Sequence, residues 1–143
     1  MKPGRLVLMA DLHVHRDRLE IHLTAAEKLL ALRKTDLVVP REAIRSVAIT
    51  EDPWIWIRGV RAPGASIPLT LAVGVWKFHG GRDFLLLKVK QRAAVVIDIE
   101  HVDGMADTEF SRIIVSTQHA AGLVEALRID PADAAPVDGD ASF

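Results

Sequence analysis

The residues best suited to binding chemistry lie in a stretch interrupted by chain-breaking residues. Trp54 and Trp56 stand beside Arg58 and Arg61. Five breakers surround them: Pro53, Gly59, Pro63, Gly64 and Pro68. Indole and guanidinium groups bind membrane interfaces, anionic lipids and the carboxylates of partners, so this group is a candidate partner- or ligand-binding site. In the alternative interpretation the tryptophans form a small core under a long loop, and the arginines are solvated or paired with the acids at 51–52.

A second candidate is the basic face of residues 58–92, in which Asp83 is the only acidic residue. Its members are Arg58, Arg61, Lys77, Arg82, Lys88, Lys90 and Arg92. Such a face suits an anionic ligand or an acidic lipid surface; alternatively, it is a dispersed, solvated set of charges. Nucleic acid is not an expected partner, because the pI is about 6.6 and no aromatic ladder separates the basic residues.

Histidines and carboxylates alternate near the start of the chain. A strand pair would bring His13, His15 and His22 to one face with Asp11 and Glu20. Two histidines at positions i and i+2 can share a metal ion with a carboxylate. Ordinary charge pairing on a solvated face explains the same pattern, so we predict no metal site.

Catalytic motifs are missing from the sequence. No serine lies in G-x-S-x-G, and there is no P-loop and no G-x-G-x-x-G. An acidic run surrounds His101, comprising Asp98, Glu100, Asp103, Asp107 and Glu109. Its spacing matches no EF-hand loop, and a solvated strand end explains it better than acid–base chemistry or calcium binding. We expect no catalytic residue, no cofactor and no enzyme activity.

Length and composition indicate one folded domain. The chain has 143 residues, of which 50% are hydrophobic and 26% charged, enough to bury a core. The absence of cysteine excludes disulfides and thiolate metal sites. No apolar run reaches the length of a membrane helix, and the run after Arg5 is too short for a signal peptide. These features predict a cytoplasmic protein.

The small net charge of −1 hides an asymmetry. Residues 1–92 hold 16 basic and 9 acidic side chains, and residues 93–143 hold 2 and 10. The distribution indicates either a dipolar domain with a basic face for an anionic partner or a chance distribution with an acidic tail.

Alternation of polar and apolar residues predicts a hairpin from residues 11–15 and 18–23, after a short lead-in strand at 5–9. A two-residue turn at Arg16–Asp17 would pair Leu12 with Ile21 and Val14 with Leu19 on one aliphatic face. Thr24 and Glu27 then have the spacing of a capping box at the start of a short helix.

Short strands are predicted for most of the remaining chain. Residues 37–39 and 44–50 are two of them, and 51–70 is predicted as a long irregular connection, with an extended piece at 54–58. Gly80-Gly81 predicts a hairpin turn between 71–79 and 82–90. Strands at 94–100 and 110–116 precede a helix at 118–128, whose apolar stripe should close the sheets. The acidic segment 130–143 is predicted to be disordered.

Several segments resemble a family of short, mostly actinobacterial proteins with a pleckstrin-homology-like fold. The stretch Val39-Pro40-Arg41-Glu42-Ala43-Ile44-Arg45-Ser46-Val47 matches the V-P-x-x-x-I-x-x-V pattern of bacterial domains of this kind. The order of the segments 27–33, 58–64, 80–84, 94–97 and 112–116 is similar to that of the family. The resemblance implies a fold and no established activity.

Together these patterns predict a mainly β domain over 1–129. It is a pleckstrin-homology-like antiparallel barrel or sandwich of about seven or eight strands, with a short inserted helix and a C-terminal capping helix. We expect a non-catalytic binding or scaffold module. Its leading partner is another protein, or a second copy, bound through edge strands and the 54–64 loop. The alternative is an anionic ligand or lipid surface bound by Arg58, Arg61, Arg82 and Lys88.

Overall fold

The computed structural model describes residues 11–31, 33–67, 71–88, 93–102, 108–117, 119–128 and 141–142. The predicted strand at 5–9 lies outside this part. Two short 3₁₀ helices occur, at Arg41–Ala43 and Pro53–Trp56. The strands are β1 (Asp11–Val14), β2 (Arg18–His22), β3 (Leu37–Pro40), β4 (Ile44–Thr50), β5 (Val60–Ile67), β6 (Leu71–Phe78), β7 (Gly81–Lys88), β8 (Ala94–Ile99), β9 (Arg112–Ser116) and β10 (Ala141–Ser142), with helices α1 (Ala25–Ala31) and α2 (Ala120–Arg128).

The first sheet has the strand order β10-β1-β2-β3. Its hairpin has the predicted register, in which Leu12 faces Ile21 and Val14 faces Leu19. All four of these side chains are buried, because period-two alternation directs them to the same side of the sheet. Of the acidic segment 130–143, only Ala141–Ser142 is described, and these two residues pair with β1.

Helix α1 begins with the predicted capping box. The Thr24 backbone N–H donates to Glu27 Oε1 at 2.8 Å, and the Glu27 N–H donates to Thr24 Oγ1 at 3.1 Å. Two backbone donors at the helix start are thereby satisfied. The helix then packs against β5 and β6, at one end of the second sheet.

The second sheet has the order β4-β8-β9-β7-β6-β5. The prediction of an antiparallel arrangement is wrong at one place, because β7 and β9 pair in parallel. The predicted turn is also shifted: Phe78 pairs with Gly81, so His79 and Gly80 form the turn. Gly80 has a φ of 103°. A Cβ at Gly81 would lie 2.5 Å from Ser111 Oγ, so a larger residue there would require the Ser111 side chain to move.

The segment predicted as irregular is more ordered than the sequence suggested. Pro53–Trp56 is a 3₁₀ helix with proline at its start, a position where the missing N–H has no cost. The segment 60–67 forms β5, which pairs with β6 and contains a register shift between Arg61 and Gly64. Proline is tolerated here because β5 is an edge strand with an irregularity.

The two sheets pack face to face around the main core, so the mainly β prediction is confirmed. Within the described residues the sheets form a sandwich of ten strands, not a closed barrel of seven or eight. Leu12 and Ile21 from the first sheet join Phe84 and Ile97 from the second in one apolar cluster. Helix α2 adds Leu123 and Val124 to it, as its apolar stripe predicts, and lies against β4, β8 and β1.

Candidate functional site

A second apolar cluster lies on the outer face of the six-stranded sheet. Its buried members are Ala72, Trp76, Leu85, Leu87, Ala94, Val96 and Ile114. The half-buried side chains of Trp54, Trp56 and Ile57 pack against it. The 3₁₀ helix Pro53–Trp56 therefore covers this face, and the two tryptophans contribute to a satellite core, as the alternative interpretation described.

Trp56 makes one contact through its indole nitrogen and another through the face of its ring. Its indole Nε1–H donates to Thr50 Oγ1 at 3.1 Å. The guanidinium carbon of Arg112 lies 5.1 Å from the ring centroid, within the range of a cation–π contact. The indole thus links the end of β4 to the start of β9.

Arg58 is engaged with the protein itself. Its Nε donates to Asp83 Oδ2 at 2.8 Å and its terminal nitrogen to Oδ1 at 3.1 Å, and its guanidinium lies 3.9 Å from the Phe78 ring centroid. The bond to Asp83 raises the pKa of Arg58. The acidic partner of Arg58 is therefore Asp83 across the sheet, not the neighbouring acids at 51–52.

Asp83 belongs to a row of side chains in register across five strands, here called the polar row. Its members, in order, are Trp76, Asp83, Arg112, Asp98 and Ser46. Arg112 Nε donates to Asp98 Oδ1 at 2.7 Å, and Ser46 Oγ donates to Asp98 Oδ2 at 2.9 Å. Burial opposes ionisation of Asp98, but these bonds outweigh it and hold its pKa below the ordinary value.

Sequence reasoning missed most of the polar row. One signal was available. Asp83 lies two and four positions before Leu85 and Leu87, so the period-two pattern of a strand places its carboxylate on the same apolar face, where it needs a partner. The identity of that partner required the strand order. Arg112 and Asp98 meet because β8 and β9 are neighbours, although 14 positions separate them in the chain.

Two large apolar side chains in the segment that leads into β5 are exposed to solvent. Ile55 is 75% exposed and Val60 is 69% exposed. Val60 opens β5, which pairs with β6 and with no other strand in the described part of the chain. These side chains and the outer edge of β5 together form what we call the β5 surface. Sequence reasoning identified its segment but chose Trp54 and Trp56 as the contact residues.

The predicted basic face is only partly described. Arg82 is exposed and lies directly across from the exposed Lys77. Arg61 and Lys88 lie in β5 and β7, but their side chains fall outside the described part, as do Lys90 and Arg92 entirely. With Arg58 held by Asp83, Lys77 and Arg82 are the members of this face whose side chains the structure shows facing solvent.

The histidine-bearing face of the first sheet is organised around Glu20. Its carboxylate lies 2.8 Å from His22 Nε2, 2.7 Å from Arg18 Nε and 3.3 Å from His15 Nε2, while the His13 and His22 rings stack with centroids 4.3 Å apart. The bonds from His22 and Arg18 lower the pKa of Glu20 to about 2. The described residues contain no group of three ligands arranged to hold a metal ion.

The acidic run near His101 does not assemble into one site in the described residues. Asp98 belongs to the polar row, and Glu100 is exposed, while 103–107 lie outside the description. Thr108 is buried and its hydroxyl bonds to the backbone of Val102 at 3.0 Å, so it closes a loop.

Among the described helices, neither has the length and apolar character needed to cross a membrane. Comparison of the chain with protein-family models, with curated proteins and with solved structures finds no match.

Proposed function

We propose that this protein is a non-catalytic binding module that associates with another protein chain, including a second copy of itself, through the β5 surface. The observation that carries the proposal is the exposure of Ile55 and Val60, at 75% and 69%, in the segment that leads into an edge of the six-stranded sheet that no described strand pairs. Exposed apolar side chains next to an open sheet edge are typical of interaction sites.

The backbone at the edge of β5 would supply the hydrogen bonds of this interface. An edge strand presents a row of N–H and C=O groups that a partner strand can satisfy. The irregularity between Arg61 and Gly64 shortens the regular stretch and limits the length of strand that can be added. Ile55 and Val60 would then contribute apolar contact next to a short strand pairing.

The roles of the neighbouring residues follow from their contacts. Trp54 and Trp56 support Ile55 from beneath, because they pack on the outer face of the sheet. Arg58 holds the segment in place through Asp83. Together with Arg58, the polar row pairs two carboxylates with two guanidinium groups, which suits a supporting role better than acid–base chemistry.

We further propose that the chain has a pleckstrin-homology-like fold. A pleckstrin-homology-like arrangement is supported by the face-to-face sheets, the short helix after the first hairpin, and the position of α2 against β4, β8 and β1. The parallel β7–β9 pair is the feature that such an assignment must accommodate.

The experiment combines sedimentation with affinity capture. Wild-type protein and the double variant Ile55→Asp/Val60→Asp are compared by analytical ultracentrifugation and as baits in the native host. The control is Ile49→Asp, an exposed apolar residue of β4, at the opposite edge of the same sheet. We expect self-association, or capture of a defined partner, to weaken at least about ten-fold in the double variant alone. An equal effect of Ile49→Asp, or no effect of the double variant, contradicts the proposal.

A second candidate function is binding to an anionic lipid surface through the basic face. Lys77 and Arg82 favour it, because their exposed cationic side chains lie directly opposite each other on β6 and β7. Co-sedimentation with acidic vesicles at low and high salt tests this function. Binding that is lost in high salt and in Lys77→Gln/Arg82→Gln would support it, and no binding at low salt would exclude it.

A further inference from the structure

We propose that an open depression at the β4 end of the polar row is a binding site for the carboxylate group of a small ligand. The depression has a volume of about 460 Å³ and is lined by Arg45, Ser46, Asp98, Ile99, Ser111 and Arg112. Its size is within the range of small-molecule sites. It is separate from the β5 surface and does not depend on the function proposed for that surface.

A bulge in β4 is what brings Arg45 to the depression. Ile44 pairs with Ile99, and Ser46 pairs with the adjacent Asp98, so Arg45 is the extra residue of the bulged strand. A bulge interrupts strict alternation and redirects a side chain. Arg45 and Ser46 consequently line the same depression, although adjacent residues of a regular strand face opposite sides of the sheet.

The charges of the depression favour a singly charged anion. Two guanidinium groups and one carboxylate leave a balance of +1. Arg45 is exposed and forms no ion pair with any described residue. Arg112 is oriented from two sides, by Asp98 at 2.7 Å and by the Trp56 ring at 5.1 Å, so Asp98 and Trp56 are positioning residues.

Guanidinium groups match a carboxylate in shape as well as in charge. The group is planar, and its forked donors bond both oxygens of a carboxylate. Asp98 accepts the Nε proton of Arg112, and a guanidinium has five N–H donors in all. The Ser111 hydroxyl is a further donor at the rim. A singly charged carboxylate would leave the depression neutral, whereas a doubly charged phosphate would leave a net negative charge beside Asp98.

The probe is acetate, titrated into the full chain at constant ionic strength with chloride as the replacement salt. Backbone amide shifts are followed by NMR. We expect saturable shifts at residues 45–46, 98–99 and 111–112. Arg45→Gln should weaken binding roughly ten-fold or more, because a charge-assisted hydrogen-bonded contact is lost. Since Arg45 is exposed, this variant should keep the dispersed spectrum of the folded protein.

Two controls make the result decisive. Lys34→Gln removes one exposed positive charge elsewhere and should bind acetate like the wild type. Arg45→Lys, which keeps the charge but lacks the fork, should bind with intermediate affinity. Shifts that stay linear with acetate, or equal affinity of Arg45→Gln and wild type, would overturn the proposal. Tighter binding of inorganic phosphate than of acetate would overturn the carboxylate assignment.

Discussion

At the scale of single residues, the least replaceable contact on the outer face is the ion pair between Arg58 and Asp83. Asp83 is 1% exposed, and a carboxylate removed from water requires a bonded counter-charge. The same pairing fixes the chain between the 3₁₀ helix Pro53–Trp56 and β5. A basic residue that the sequence suggested as a ligand contact is thus bonded to a buried carboxylate of the protein itself.

Replacing Arg58 should destabilise the protein, because the Asp83 carboxylate would stay buried without a counter-charge. We expect Arg58→Gln to lower the free energy of unfolding by about 3 kcal/mol, because Asp83 remains buried without its partner. The measurement is urea denaturation followed by tryptophan fluorescence. Arg82→Gln, at an exposed position, should change stability by less than about 0.5 kcal/mol. Equal effects of the two variants would show that the Arg58 pair is not structural.

Glu20 should control stability in acid. Its pKa in the folded protein is about 2, below the ordinary 4.5, so its stabilising contribution is complete above about pH 4.5 and is lost as the pH falls toward 2. Glu20→Gln should lower the free energy of unfolding by about 1 kcal/mol at pH 7, an amount reduced by solvent screening. The variant should also lose less stability than the wild type as the pH falls below about 4.5. Denaturation midpoints measured from pH 7 to pH 2 test it, and an unchanged slope in the variant would contradict it.

At the scale of elements, two glycines near the turn of the β6–β7 hairpin have different roles. Gly59 has a φ of 83° and approaches β6, so that an added Cβ would lie 2.6 Å from the carbonyl carbon of Lys77. Gly80 has a φ of 103°, and a Cβ there would meet nothing within 4 Å. The first position combines backbone strain with a clash against backbone atoms, and the second has strain alone.

These glycines therefore form a matched pair of substitutions. We expect Gly80→Ala to cost about 1–2 kcal/mol from the positive φ. Gly59→Ala should cost at least about 3 kcal/mol, because the clash involves backbone atoms that cannot move aside. Thermal and chemical denaturation of both variants provides the comparison. A larger loss at Gly80 than at Gly59 would mean that β5 does not approach β6 in this way.

At the scale of the whole molecule, the C-terminal residues complete the first sheet. The His15 N–H donates to Arg18 O at 2.8 Å, and amide directions alternate along a strand. The Val14 N–H therefore points away from β2, toward Ala141, its partner in β10. Residues far apart in the chain thus protect an edge that would otherwise be open.

Deleting residues 141–143 should open that edge selectively. We expect hydrogen exchange of the Val14 amide to accelerate roughly five-fold or more, since one backbone hydrogen bond is lost. The His13 amide, which faces β2, is the internal control and should keep its protection. Unchanged exchange at Val14 would show that β10 does not protect β1.

Local patterns determined a large part of this fold. The register of the first hairpin follows from alternation and a two-residue turn, and the start of α1 follows from the spacing of Thr24 and Glu27. The apolar stripe of α2 likewise identified Leu123 and Val124 as buried. In each case the physical cause acts within a few residues, as a period, a cap or a turn, so the sequence alone was sufficient.

Contacts between distant segments decided the rest. The hairpin turn lies one residue earlier than predicted, at His79–Gly80, because Phe78 pairs with Gly81 across the two strands, and the local Gly-Gly pattern does not specify that register. β5 forms in a segment with several prolines and glycines because its backbone pairs with β6. The polar row exists because β7, β9, β8 and β4 lie side by side, which brings Asp83, Arg112 and Asp98 together. Strand order is a property of the whole chain, and it places Asp83 against Arg58 and brings Arg45 and Arg112 to one depression.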